Sequence, residues 1–329
     1  MTDHDTPALT VVIPTWNGWA LLQSCLESLG NQTFQDFVVI VVDDGSTDDT
    51  VAQLAAAYPE VQCIQSPVNR GFAPTANLGL AAAQSPWILL LNNDVTLEPR
   101  CLEHLMDAAA TGSHSMLCPL VLFAEDPRLI YSVGDRIGKD GRPYSRGYRV
   151  PQDILESAGD PFGVSGGYGL FRKTLFDEVG LLDESFVAYY EDSDLCFRAR
   201  WQGHTATLVP EAIAHHVGSA SIDGRLWWRT RQCLQNQALL VVKNFSWPLL
   251  WKNRGLLFRE QRHQWKRLFT TGRHHWGAIR AVLFCAGAWW GLVRRLPGAL
   301  AARRITLAHR AISDEAMQKL LEGRSVDPD

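Results

Sequence analysis

The chain opens with apolar runs too short for buried helices and too unbroken for half-exposed strands. Residues 9–13, closed by Pro14, and residues 37–42, nearly all Val and Ile, predict strands buried on both faces, as in a parallel sheet. Between them Leu21, Leu22, Cys25, Leu26 and Leu29 recur at helical spacing until Gly30 stops the pattern. Asp43-Asp44-Gly45-Ser46 turns the chain, with Ser46 or Thr47 set to cap a second helix and Asp48 and Asp49 in its first turn. Residues 61–65 predict a third strand, 75–83 a helix and 87–91 a fourth strand. Strand and helix alternating at this spacing define an α/β doubly wound sheet with helices on both faces.

Beyond Leu97 the rhythm loosens. Asp140-Gly141 predicts a hairpin turn, and the glycine-rich stretch 163–169 leads into a short helix ending at Gly180. Residues 193–202 predict a helix closed by Gly203, with Glu191 and Asp192 ahead of it and facing a cleft. Residues 205–209 and 212–215 predict two short strands. After Asp223-Gly224 the pattern turns helical, one face formed by Leu234, Ala238, Val241, Val242 and Phe245. Trp276, Ile279, Leu283, Ala286, Trp290 and Val293 form another. The pattern divides the chain into a region over 1–224, whose rhythm changes near residue 100, and a helical region over 225–329.

Charge sharpens that division. The chain has 329 residues and a net charge of −4, yet residues 225–329 hold 19 lysines and arginines against 6 acids, and 8 of the 12 tryptophans. The first 224 residues hold 12 against 29. A basic, Trp-rich region suits a membrane surface or a dimer contact better than nucleic acid, for which no binding motif is present. The longest apolar run, 281–293, is 13 residues, too short to span a bilayer. The start of the chain, with Asp3 and Asp5, shows no secretory signal core, and seven dispersed cysteines without a CxxC pair suit reduced thiols, so the expected location is the cytoplasm.

Chemistry-bearing groups fall at predicted strand ends, where open α/β sheets bind ligands. Asp43 and Asp44 follow the second strand and can accept from a base N–H, or simply shape a turn. Asn92-Asn93-Asp94 follows the fourth strand and offers hard oxygen ligands to Mg²⁺ or Mn²⁺. Glu191, Asp192 and Asp194 cluster after two tyrosines, a setting for a general base. Of the three, Asp194 is the structural member. His215-His216 ends the last strand, and Ser165-Gly166-Gly167 permits close backbone approach to a sugar or phosphate. The chain lacks a Walker A loop and a GxGxxG after its first strand, which speaks against a P-loop nucleotidase or a Rossmann dehydrogenase.

The order of these groups carries more than any one of them. Val11-Val12-Ile13-Pro14-Thr15-Trp16-Asn17-Gly18, Val41-Val42-Asp43-Asp44-Gly45-Ser46, Asn69-Arg70-Gly71-Phe72 with Asn77, and Leu91-Asn92-Asn93-Asp94 resemble glycosyltransferase family 2. The resemblance continues through Ser165-Gly166-Gly167, Gly180-Leu181-Leu182-Asp183-Glu184, Glu191-Asp192-Ser193-Asp194 and His216-Val217-Gly218-Ser219-Ala220-Ser221. It implies a GT-A fold and inverting transfer from a nucleoside-diphosphate sugar, within a bacterial rhamnosyltransferase-like branch that builds surface polysaccharide, with a catalytic domain over 1–224 made of a nucleotide-sugar half over about 1–100 and an acceptor half over about 101–224. By the same resemblance Asp192 is the catalytic base, with Glu191 beside it. Pro14, Thr15, Trp16, Asn17, Asp43, Asp44, Gly71, Asn77, Asn93 and Asp94 hold the nucleotide-sugar, Asp44 being the preferred base reader. Gly166, Gly167 and Glu191 meet the acceptor, and Asp94 with His216 holds Mg²⁺ or Mn²⁺.

Asn92 departs from the family's DxD pattern, leaving Asp94 as its one anionic ligand. The implied donor is a dTDP-linked sugar, rhamnose first, or a UDP-linked one. The implied acceptor is a glycan or a polyprenyl-diphosphate-linked oligosaccharide at the inner face of the cell membrane. The Gln261-Arg262-His263-Gln264-Trp265 string has Gln264 where processive members of the family carry Arg. A non-catalytic nucleotide-sugar binder or assembly scaffold is the competing reading.

Overall fold

The computed structural model describes residues 6–154, 159–218 and 226–322. The chain divides into two compact units: Met1–Asp135 with Ser145–Ala199 and His204–Ala220, and Arg136–Tyr144 with Arg200–Gly203 and Ser221–Asp329. The expected boundary at Asp223-Gly224 lies outside the described residues, as do Asp3, Asp5 and the Ser219-Ala220-Ser221 end of the last motif.

In the sheet unit, β1 (Leu9–Thr15), α1 (Trp19–Gly30), β2 (Phe37–Asp43), α2 (Thr50–Ala57), β3 (Gln62–Gln65), α3 (Phe72–Ala82) and β4 (Trp87–Leu91) alternate as the apolar pattern predicts. β5 (Val95–Leu97), α4 (Cys101–Thr111), β6 (Met116–Phe123), β7 (Ile130–Ser132) and β10 (Tyr168–Arg172) follow, while the hairpin β8 (Asp135–Ile137) and β9 (Pro143–Ser145), a separate two-stranded sheet between β7 and β10 in the chain, belongs largely to the second unit. α5 (Lys173–Val179), α6 (Glu191–Trp201) and β11 (Ala206–His216) come next. The main sheet runs β3-β2-β1-β4-β10-β6-β11-β5, with β7 on β6. β3, β2, β1 and β4 are parallel, β10 is antiparallel between β4 and β6, and β11 returns parallel to β6.

β1 and β4 are buried along their whole length because helices cover both faces. On one face Val11, Ile13, Val41 and Leu89 pack with Leu22 and Leu26 of α1 and Leu102 and Leu105 of α4. On the other, α3 lies against the sheet through Gly79, where an added Cβ would stand 2.3 Å from Val12 Cγ1 and 2.9 Å from Val42 Cγ2. Only a residue without a side chain allows that approach.

Four local readings are corrected. The helix after Asp44 begins at Thr50, so neither Ser46 nor Thr47 caps it and Asp48 and Asp49 precede it; Asp48 Oδ1 instead accepts from Thr50 N at 3.1 Å. The glycine-rich stretch enters strand β10 before α5, so no helix N-terminus follows it directly. The two short strands at 205–215 are one strand, β11, irregular between Val209 and Ile213 around Pro210, which has no N–H to give the ladder. Glu191 and Asp192 lie in the first turn of α6, not ahead of it.

The helical unit holds α7 (Leu226–Asn244), α8 (Trp247–Trp276), α9 (Ala278–Ala308) and α10 (Asp314–Leu320). Gly277, at φ +82°, breaks the face that the sequence pattern carries through Trp276, so the stripe from Ile279 onward belongs to α9 alone. Ser246 and Ser313 cap α8 and α10 by accepting from Leu249 N and Ala316 N. The interior joins a small cluster of Leu234, Leu268 and Ala288 to buried polar groups. Gln235 Nε2 donates to Ala288 O at 2.7 Å, Arg295 Nη2 to Asn236 Oδ1 at 2.8 Å, and Asn253 Nδ2 to Gln318 Oε1 at 2.7 Å. Among the described residues no helix is long and apolar enough to cross a membrane.

Candidate active site

β1, β2 and β4 end at one edge of the sheet, and their last residues gather the first candidates. Thr15 sits opposite Asp43 in register and is joined from the next loop by Asn93, whose Nδ2 donates to Thr15 Oγ1 at 2.9 Å. Asn17, at φ +43°, accepts from Thr47 N on its Oδ1 at 2.8 Å and tethers the loop after β1 to the loop after β2. Pro14 is buried within β1, and Trp16 stands half-buried just past its end. Asn17 and Asn93 thus brace the loops that frame the edge.

The two aspartates after β2 differ in what they have left to offer. Asp44 Oδ1 accepts from Arg70 N at 2.7 Å and Oδ2 from Gly71 N at 2.9 Å, so its carboxylate pins the loop before α3. Asp43 Oδ2 accepts from Ser46 N at 3.0 Å, while its Oδ1 is buried without a partner. The free acceptor is therefore on Asp43 and not on Asp44. Asn77 is likewise spent: its Nδ2 donates to Leu182 O at 2.9 Å and its Oδ1 accepts from Leu182 N at 3.0 Å. A carboxamide paired at both ends in the interior braces the segments it joins.

After β4 the chain carries Asn92, Asn93 and Asp94 beside the end of β11. Val95 pairs with His216, and His216 Nε2 lies 3.2 Å from Asp94 Oδ1. Both side chains are under a tenth exposed, and His216 Nδ1 is buried without a partner. The His216 ring meets the Tyr131 ring edge-on at 4.2 Å between centroids. One carboxylate oxygen and one imidazole nitrogen fit a divalent ion whose remaining ligands come from a bound diphosphate and water. Among the described residues no group of three or more His, Cys, Asp and Glu gathers to hold an ion.

The loop 165–167 joins this corner to the acidic cluster. Gly167 O accepts from Asn92 N at 2.8 Å, and Gly166 N donates to Asp192 Oδ2 at 3.1 Å. An added Cβ on Gly167 would come within 2.7 Å of Asn92 Nδ2. Gly167 therefore serves close packing against Asn92, whereas a Cβ on Gly166 would meet Asp192 Cβ at an ordinary 3.4 Å. Asp192, half-buried, also accepts from Ser193 N on Oδ1 at 2.6 Å, so two backbone amides aim its carboxylate. Glu191 is 5% exposed with Oε2 unpartnered, and burial followed by the charge of Asp192 pushes its carboxyl well above the usual range. Glu191 is thus enclosed in the first turn of α6 rather than open to solvent. Asp194 is fully buried and receives Arg198 Nε at 2.9 Å, the structural role expected of it.

Two features escape the sequence pattern. Asp135, where β8 begins, is raised well above the carboxylate range by burial and then by Asp192, which brings a further acid to the same corner. Neither Gly134-Asp135 nor its spacing signals this. The segment leading to the acids is also strained: Val187, Tyr189 and Tyr190 lie at φ +63°, +69° and +73°, costing on the order of 1–3 kcal/mol each. Val187 O accepts from Ala73 N at 2.9 Å, and Gly71 at φ +94° leaves the space that Val187 Cγ1 fills, 2.5 Å from where a Cβ would stand.

A mixed α/β sheet with acids and amides at its strand ends, and a Gly-Gly loop linking two carboxylate corners, defines a transferase of the GT-A class. Residues 10–180, a little over half of the chain, match Glycosyl transferase family 2, and the chain belongs to that family. It is 28% identical over 284 residues to the N-acetylglucosaminyl-diphospho-decaprenol L-rhamnosyltransferase of Mycobacterium tuberculosis, covering 77% of this chain and 91% of that one.

The fold is shared with solved glycosyltransferases. The mannosyltransferase PcManGT from Pyrobaculum calidifontis, in complex with GDP-Man and Mn2+, superposes with a TM-score of 0.53 at 17% identity over 92% of this chain and 86% of that one. GalNAc-T7 with UDP, GalNAc and Mn2+ gives 0.58 at 15% identity; the match covers 74% of this chain and about half (49%) of that one. The protein is a glycosyltransferase, and the non-catalytic scaffold reading is set aside.

Proposed function

We propose that the chain transfers a sugar, with rhamnose as the first choice, from a nucleoside-diphosphate donor to a hydroxyl of a lipid-linked glycan. The transfer inverts the anomeric centre and takes place at a membrane surface. A dTDP-linked donor comes before a UDP-linked one. The domain division at residue 224 is retained as the functional one: residues 1–224 perform the transfer and 225–329 serve the surface. The observation that carries the transferase chemistry is the loop 165–167, held by Asp192 at one end and by Asn92, two residues from Asp94, at the other. The named relative, whose acceptor is a diphospho-decaprenol-linked sugar, supports the donor and acceptor class.

In this reading Asp43 Oδ1 accepts from the base N–H and Trp16 borders the nucleotide, while Asp44 and Asn77 keep the surrounding loops in place. Asp94 and His216 would hold a divalent ion, which when bound neutralises charge on the diphosphate. Asp192 takes the proton of the acceptor hydroxyl as that oxygen bonds to the anomeric carbon. The bond from that carbon to the diphosphate breaks, and its electron pair leaves with the phosphate oxygen. Inversion follows from this single displacement. Burial and the charge of Asp192 disfavour the ionised form of Glu191 beside it.

The test is a thermal-shift panel of UDP, dTDP and GDP, with and without Mn²⁺, on wild type and Asp94→Ala. A ligand that binds the native state raises the melting temperature by mass action. A shift for one nucleotide that needs Mn²⁺ and disappears in Asp94→Ala is the expected result. No shift for any nucleotide under any metal condition overturns the donor-site reading.

A further inference from the structure

α9 carries its surface the wrong way round for water. Ile279, Leu283 and Trp290 are 79%, 65% and 63% exposed, and with Val282, Ala286 and Leu300 they recur at helical spacing on one outer stripe. α9 contains no acid, and its fully exposed cations are Arg280, Arg294 and Arg304. α8 packs on α9 through Gly272 against Ala281 and Trp265 against Trp289. All seven lysines and arginines of α8 are exposed, while its single acid, Glu260, is buried. Trp247, Trp251 and Phe258 add three aromatic side chains, each more than two-thirds exposed, at one end of that helix.

An apolar stripe of this length beside cations without exposed acids needs a partner that is apolar within and negative at its rim. A second copy of the same hairpin would set arginine against arginine. An acidic phospholipid leaflet supplies both properties, and Trp and Arg are the side chains that settle at its boundary. We infer that the outer face of α9 lies in the plane of such a leaflet, its stripe entering the acyl boundary and the α8 and α9 cations resting on headgroup phosphates. The inference deepens the proposed function in one respect, since a lipid-linked acceptor requires the enzyme at that surface. Binding itself requires neither donor nor acceptor.

The test is co-sedimentation of the full chain with vesicles of phosphatidylcholine alone or mixed with phosphatidylglycerol, at low and high salt. Wild type should bind the mixed vesicles at low salt, and binding should fall about tenfold or more without phosphatidylglycerol or at high salt. The double variant Leu283→Gln, Trp290→Gln should lose a similar factor while its helical circular dichroism stays unchanged, because both side chains are exposed in the native fold. Arg259→Gln with Arg262→Gln and Lys266→Gln should flatten the salt dependence. Equal binding by wild type and the α9 double variant overturns the inference. So does equal binding with and without phosphatidylglycerol. A dimer in vesicle-free sedimentation that the α9 double variant dissolves assigns the stripe to a second copy and also overturns it. Asp192→Asn should bind vesicles as wild type does. Vesicle binding without any measurable transfer would sink the function and leave the surface standing; transfer to a water-soluble acceptor without vesicle binding would do the reverse.

Discussion

The two units of the molecule distribute polarity in opposite ways. In the sheet unit Val12, Leu89 and Leu91 are sealed inside, and polar residues around the candidate site are spent on backbone: Asp44 on Arg70 and Gly71, Asn77 of α3 on Leu182, Asp192 of α6 on Ser193 and Gly166. In the helical unit Gln235, Asn236, Asn253 and Gln318 are inside, and Ile279, Leu283 and Trp290 are outside. Water selects the first arrangement. The second is stable in water only because its buried amides find partners in one another and in carbonyls, which also fixes how the helices register. The sheet unit is built for precise placement of charge, and the helical unit for a surface that water does not supply.

That contrast breaks first at Asp192. Asp192→Asn removes the proton acceptor and, with a single accepting oxygen, keeps one of the two backbone amide contacts, so turnover should fall by about 10² to 10⁴ with donor-induced thermal shift retained. Nucleoside diphosphate release and melting curves on the same sample decide it, and turnover near wild type would remove Asp192 from its role. Next, Leu89→Ala opens a cavity in the sheet core and should cost about 2–5 kcal/mol in denaturant unfolding. Asp44→Ala strands two amides and should cost on the order of 2–3 kcal/mol, whereas Asp43→Asn should spare stability and weaken nucleotide binding about tenfold. If the two aspartates exchange these effects, the free-acceptor argument fails.

Glu191 sharpens the comparison through pH. Its folded-state pKa is raised, so the native state keeps a proton that the unfolded chain releases at ordinary carboxylate pH. The stability this gives is full below the unfolded pKa and is lost as pH rises, by at most about 1.4 kcal/mol per pH unit for one proton. Glu191→Gln should therefore melt with a shallower decline than wild type from about pH 5 to about pH 8. Asp135, raised in the same direction, leaves a residual slope; identical pH profiles would mean that Glu191 ionises freely in the fold. The smallest effect belongs to α9: Leu283→Ala should stay within about 0.5 kcal/mol of wild type in vesicle-free solution. A cost near that of Leu89→Ala would show that its side chain is covered there.

What the sequence disclosed follows from the same physics. Parallel strands buried on both faces read as unbroken apolar runs, so β1, β2 and β4 were legible, as were the acids and amides at their ends. β6 was hidden because Pro119 interrupts a fully buried run, and proline argues against an interior strand. β10 was hidden by the glycines that let it lie against Asn92. Motif spacing named the candidate site but not the allocation of lone pairs, which leaves a free acceptor on Asp43 and none on Asp44 and pairs Asn77 at both ends. In α9 periodicity disclosed the stripe from Ile279 onward, yet a stripe looks the same whether it faces a core or the outside. The buried Gln235 and Asn236 gave no signal, since polar residues in a helix read as solvent-facing until a partner carbonyl is in place.

The strained segment before α6 has a consequence for how such enzymes diversify. Val187 holds its left-handed backbone because Ala73 N–H grips its carbonyl and Gly71 leaves its side chain room, and Gly71 is in turn gripped by Asp44. The nucleotide half and the loop that delivers Asp192 are therefore keyed to each other like two halves of a lock. A chimera that takes residues 71–73 from one parent and 187–190 from another inherits a key cut for a different lock. Either segment can be exchanged only if both pieces travel together.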